Sequence, residues 1–193
     1  MSTNLSTNNS KERMWLPVMS GFYDDVAQPL AWVGLRVLTG GPLVVSGWPK
    51  IIAPMSMIPF VESLHFYPGW FWSPFLAAIQ FFGGMAIVAG LFTRPAALAN
   101  AVMLAITLYF HFTHPYGDRF LTDAGVEFMK ADGAKYFTPA ALQNLADGGG
   151  GFLSRVQEKA VWLSLFWTAA AAFFAAFGGG IWSVDKAIMK KEF

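Results

Sequence analysis

The sequence predicts an all-α membrane protein, a four-transmembrane-helix bundle with a small extracytoplasmic cap between helices 3 and 4. Three observations lead there. Hydrophobic residues make up 55% of the 193 and charged residues only 13%, about half the share of ordinary soluble domains, so the charges cannot coat a globular surface. Four apolar stretches recur along the chain, each close to the ~20 residues that a helix needs to cross a bilayer. Net charge is only +1 and the basic residues are scattered, which excludes nucleic acid as a partner class. There are no cysteines. Disulfides, thiolate metal sites and CxxC chemistry are therefore excluded, and any electron transfer must use a bound cofactor or another subunit.

Taken in order, residues 1–27 form an N-terminal tail and interfacial segment, and residues 28–193 a four-helix membrane domain. Residues 1–13 are polar with no apolar core after their first charges, which predicts a disordered tail and no cleavable signal peptide. Residues 14–27, MWLPVMSGFYDDVA, mix aromatics, Pro17 and an acidic pair in a way that suits a segment lying flat in the interface. The spans are predicted at about 29–48, 72–92, 95–112 and 160–182, with Thr93 and Arg94 as the turn between the second and third. The connection 49–71 is rich in Pro, Met and aromatics and is read as interfacial.

The cap, 114–158, carries two helix-like pieces. Thr122 before Asp123 opens one, and Thr138 before Pro139 pairs an N-cap with proline at the first helical position; glycines 148–151 end the second. For orientation, Lys11, Arg13, Arg94, Lys186, Lys190 and Lys191 fall at one end of the spans, which places both termini in the cytoplasm by the positive-inside rule. The cap then faces outward.

Each span has a polar or small-residue face. On the first, Arg36, Gly40, Gly47 and Lys50 keep within about 80° of one helix face at 100° per residue. Arg36 lies about 10 Å into the span, where an unpaired charge costs at least about 2.5 kcal/mol, so it needs a partner or water. The second span offers Gln80, Gly83, Gly84 and Gly90 before Arg94; the third aligns Asn100, Thr107, His111 and His114; the fourth has Ser164 and Thr168. Small residues of this kind let membrane helices approach closely, and a buried Gln or Asn hydrogen-bonds across a helix interface. Intramembrane ionisable residues also mark ligands and pathways.

Lys50, His111 and His114 are predicted at similar height near the outer end, with Glu62 and His65 in the adjoining loop. His111 and His114 at i, i+3 suit a metal, a haem iron or a hydrogen bond to a quinone carbonyl, while Lys50 suits an anion. Interfacial His and Lys equally serve by meeting water and headgroups. The nine methionines are spread through apolar spans and read as core rather than as a copper site.

The stretch LRVLTGGPLVVSGWPK, residues 35–50, resembles the opening signature of the DoxX family, and GGMAIVAGLFTRPAAL, residues 83–98, is similar to its second block. The resemblance covers about residues 30–114 and the last helix. It implies a small bacterial inner-membrane protein, DoxX-like, acting as the membrane subunit of a quinone-linked redox system. The DoxD-type large subunit of thiosulfate:quinone oxidoreductase, which works with a small partner subunit, is one such relative. Quinone, membrane lipid and other protein subunits are the implied cofactor and partners. Arg36, Lys50 and Arg94 match the family's basic positions. Gln80 stands where the family usually has Glu, so an acid able to pair with the Arg or relay protons is missing. A non-catalytic accessory or structural subunit of a larger membrane complex is the alternative reading, motivated by the lack of a complete catalytic constellation and by eight tryptophans. A transport path along Arg36, Gln80 and Asn100 is a weaker third.

Overall fold

The computed structural model describes residues 19–190. The tail 1–13, the start of the interfacial segment, and Lys191 lie outside them. Four helices in the described part are long and apolar enough to cross a membrane: Ser20–Ile52 (α1), Gly69–Ala89 (α3), Thr93–Thr113 (α4) and Gly150–Phe177 (α7). Shorter helices are Ile58–Ser63 (α2), Asp123–Ala131 (α5) and Pro139–Leu145 (α6), with a 3-10 turn Gly133–Lys135 and a π-helical turn Asp185–Met189. The chain spans the bilayer several times.

Sequence and structure differ most at helix ends. Residues 20–27 continue straight into α1, with a π-helical stretch Tyr23–Ala27 inside it. No Gly or Pro breaks the chain between Asp25 and Gln28, so the helix does not stop at the interface. Thr93 and Arg94 open α4 instead of forming a turn. Gly90 takes the left-handed conformation at φ 72° and ends α3, and the amides of Gly90 and Leu91 return to Ile87 and Ala86, a common C-terminal closure. At the last span, helix begins at Gly150, ahead of the apolar stretch, and stops at Phe177 because Gly178 has φ 76°.

The described chain divides into two compact units, each with its own packing. The first takes in the chain up to Met103 and from Ala169 on. Its main seam is α1 against α3. A Cβ at Gly40 would lie 2.5 Å from the Gly84 carbonyl oxygen, and one at Gly47 3.1 Å from Phe81 Cα. The two backbones therefore meet where glycine allows it, as small residues do between membrane helices. Trp32 on α1 stacks on Phe173 of α7 with ring centroids 5.1 Å apart.

The second unit is Leu104–Thr168. The two short helices predicted in the connection are present. Thr122 Oγ1 accepts from the Gly125 amide and Thr138 Oγ1 from the Ala141 amide, both at 3.3 Å. Met129 and Gly133 form the inner side of this segment, and a Cβ at Gly133 would lie 2.8 Å from Leu142.

Asp147 starts α7. Its carboxylate accepts from the Gly151 amide at 2.7 Å and the Gly149 amide at 3.0 Å. These bonds, Gly151 foremost, hold its pKa below the ordinary carboxylate value. A depressed folded-state pKa contributes stability that is fully present above the unfolded value of about 3.9 and is lost as pH falls through the folded one. Asp147→Asn is therefore expected to lower the melting temperature in detergent at pH 7, and the gap to the parent protein should close as pH drops below about 3.9. A gap that stays constant across that range would remove this role from the carboxylate.

Candidate functional site

The polar groups of the first unit gather at two places on α1, separated by about 21 Å of helix axis at 1.5 Å per residue. The first is at its C-terminal end. Lys50 Nζ donates to Gln80 Oε1 at 2.7 Å, Gln80 Nε2 donates to Ser46 Oγ at 2.6 Å, and Ser46 Oγ donates to the Pro42 carbonyl at 2.7 Å. Gln80 suits this place because its amide accepts from an ammonium and donates to a hydroxyl at once. Gln80 is buried and Lys50 half-buried. The ammonium has three donors and spends one on Gln80. Trp48 and Phe81 pair across the same α1–α3 seam with ring centroids 5.6 Å apart.

The second place is at the other end. Arg36 is only 2% exposed, and it donates from Nη1 to the Ala89 carbonyl at 3.2 Å and from Nη2 to the Trp182 carbonyl. Asp185, also 2% exposed, lies close enough to attract it. The Asp185 carboxylate accepts from the amides of Phe92 at 2.7 Å and Thr93 at 3.0 Å and from Thr93 Oγ1 at 3.1 Å. It thereby caps α4, where orphan amides and the helix dipole favour a negative group. A Cβ at Gly90 would overlap Arg36 Nη1 and crowd Ser183, so both the backbone conformation and the available space require glycine there. The partner that the sequence demanded for Arg36 is thus a pair of backbone carbonyls, one at the end of α3 and one from beyond the last span.

The remaining candidates have local partners. Glu62 Oε1 accepts from the Gly69 amide at 3.1 Å, at the start of α3. His65 takes φ 64° just after α2. Asn100, fully buried, donates from Nδ2 to the carbonyls of Ala96 at 2.9 Å and Ile79 at 3.1 Å, tying α4 to α3. A Cβ at Gly83 would overlap that same Nδ2. Arg94 lies beside the chain turn at Gly178.

Within the second unit, the His114 ring stacks on Phe110 with centroids 4.5 Å apart, and its Nδ1 is 2.8 Å from Thr113 Oγ1. Gln157 of α7 donates to the His111 carbonyl and accepts from the Tyr116 amide at 3.3 Å. His111 Nδ1 is buried without a hydrogen bond. An open cleft of about 510 Å³ beside them is lined by Tyr116, Asp118, Ser154, Gln157 and Glu158 among others. Its two carboxylates do not favour an anion. Among the described residues no group of three or more His, Cys, Asp or Glu is placed to hold a metal ion.

A family model, DoxX, matches residues 31–113. Those residues are a DoxX domain. No curated protein and no solved structure matches the chain. The DoxX domain holds both polar places on α1, Glu62, His65, Gln80, Asn100 and His111; His114 falls one residue beyond it. Asp185 and the Trp182 carbonyl come from outside the matched residues, so the last segment of the chain completes the surroundings of Arg36. Sequence reasoning missed Asp185, Ser46 and Gln157. Asp185 had one available signal, an acid soon after the triple-glycine break that follows the last span. Ser46 had another, its place four residues before Lys50 on the face toward Gln80.

Proposed function

We propose that this chain is a DoxX-type membrane subunit of a quinone-linked redox system in the bacterial cytoplasmic membrane, with both termini cytoplasmic. The quinone headgroup binds at the α1–α3 seam beside Lys50. The observation that carries the reading is the half-buried Lys50 ammonium, held at 2.7 Å by Gln80 with donors to spare. A quinone needs a donor for a carbonyl and flat apolar neighbours for its ring. Lys50 supplies the first, and Trp48 and Phe81 the second. Gln80 orients the ammonium but carries no proton, so proton uptake on reduction comes from water or Lys50 itself. With no cysteine in the chain, the electrons from a sulfur compound such as thiosulfate must enter through a partner subunit.

The test is quinone reduction by the protein purified with its co-purifying subunits, using thiosulfate and a soluble quinone analogue. Lys50→Met is expected to raise the KM for quinone about 10- to 100-fold, the loss of a charged hydrogen bond of roughly 1.5–3 kcal/mol. Absence of quinone reduction, alone or with partners, would end this reading.

A second reading, an accessory or structural subunit of a larger membrane complex, is favoured by one observation. The polar side chains of Arg36, Gln80 and Asn100 all hydrogen-bond inside the chain, which is what helix packing alone would ask of them. Mild-detergent purification with mass spectrometry separates the two; a lone, active, cofactor-bearing protein would count against the accessory role.

A further inference from the structure

Helix α5 (Asp123–Ala131) has three faces at 100° per residue. Val126 and Met129 point to the inner side, Met129 being buried. Asp123, Glu127 and Lys130 share a second, exposed and charged face. Ala124, Phe128 and Ala131 share a third face, which is exposed and apolar. Phe128 is 50% exposed and stacks on Tyr136, itself 71% exposed, with ring centroids 6.3 Å apart. Phe137 and Phe120 are exposed as well. The chain thus leaves an aromatic stripe open along a helix whose neighbouring face already meets water through its charges. A stripe of this kind on a water-soluble surface marks something that covers it.

What lies within reach is the membrane. The segment is tethered at both ends to membrane-spanning helices, α4 ending at Thr113 and α7 beginning at Gly150, ahead of its apolar stretch, so it stays within reach of the bilayer surface. The end of α4 that leads into the segment carries exposed aromatics of its own, Tyr109 and Phe112, the residue types that sit among headgroups at membrane interfaces. A polar face beside an apolar face with Phe and Tyr is the layout of a helix lying in the interface plane.

We propose that α5 and the turn after it lie in the headgroup layer of the bilayer, with Ala124, Phe128 and Tyr136 toward the lipid and Glu127 and Lys130 toward water. The segment 114–149 is then a membrane-surface element rather than a free-standing cap, and its ligand is the lipid interface.

The absence of native cysteine makes the test direct. Single-cysteine variants F128C, Y136C, A124C, E127C and K130C carry a nitroxide label, and the protein is reconstituted in phosphatidylethanolamine/phosphatidylglycerol vesicles. Power saturation compares collision with oxygen and with a water-soluble nickel chelate. Oxygen is expected to dominate at 124, 128 and 136 and the chelate at 127 and 130. A124C reads the stripe without removing an aromatic, so loss of folding in the other variants does not decide the matter. Chelate dominance at 124 would overturn the proposal in favour of a face in open water. Low access to both reagents there would overturn it in favour of a protein partner or a second copy.

Discussion

Asp185→Ala is expected to destabilise the protein by about 2–4 kcal/mol, because buried donors left without their acceptor cost roughly 1–3 kcal/mol each before relaxation. Two losses combine. The first turn of α4 loses an acceptor that serves two amides and the Thr93 hydroxyl. Arg36 loses the negative charge near it and is left with the dipoles of two carbonyls. Asp185→Asn keeps the size and one acceptor oxygen, so it should cost less, about 1–2 kcal/mol, nearer the value of a helix cap. Arg36→Met combined with Asp185→Ala should cost less than the sum of the two, because removing both charges removes the uncompensated one. Unfolding in mixed micelles measures all four proteins. A cost below about 1 kcal/mol for the alanine variant, against roughly 1–3 for even one buried donor left unsatisfied, would mean that water or lipid headgroups already serve these donors.

This pair also shows where sequence reading stops. The four spans are legible because hydropathy over about 20 residues is a local property, and the glycine face of α1 is legible because helical spacing is local too. Gly40, Gly47 and Lys50, which helical spacing puts on one face, all meet α3. One partner of Arg36, the Trp182 carbonyl, comes from a segment that spacing on α1 cannot reach. Gln80 illustrates the converse. Read against the family's usual Glu, it looks like a missing partner for an arginine; in the structure it joins Lys50 and Ser46. One residue type serves as donor and acceptor at once, and only the geometry says for whom.

The helix ends were the least legible part for a different reason. The first span ends in the sequence where charge or proline appears, yet α1 begins at Ser20 and passes through Asp24 and Asp25, because nothing in residues 20–28 supplies a stop. At Thr93 the opposite holds. Thr-Arg-Pro resembles a turn, but Asp185 caps it from the far end of the chain and converts it into the first turn of a helix. Local rules give the helix core, and contacts distant in sequence decide where it starts.

Gly40 provides the sharpest test of the seam, because α1 carries its own control. A Cβ at Gly40 would meet the Gly84 carbonyl at 2.5 Å and Val88 Cγ2 at 2.8 Å, whereas a Cβ at Gly34 would meet nothing within 4 Å. A backbone carbonyl does not move aside as a side-chain tip can, so Gly40→Ala must push α1 off α3. Overpacking of this sort costs about 1–3 kcal/mol. Gly40→Leu should exceed that and prevent recovery of folded protein from membranes. The same glycine-to-alanine change at Gly34 should be neutral or stabilising by up to about 0.5–1 kcal/mol, since alanine gives up less backbone freedom in a helix; Gly41 is no such control, because it precedes Pro42 and a Cβ there meets the proline ring. Two substitutions of one kind, on one helix, thus carry opposite signs. If Gly34→Ala and Gly40→Ala shift the unfolding midpoint alike, the close approach of α1 and α3 is not what holds the seam. If they diverge as expected, the Lys50–Gln80 contact should loosen in Gly40→Ala alone, and the proposed quinone reading then requires the KM for quinone to rise with it.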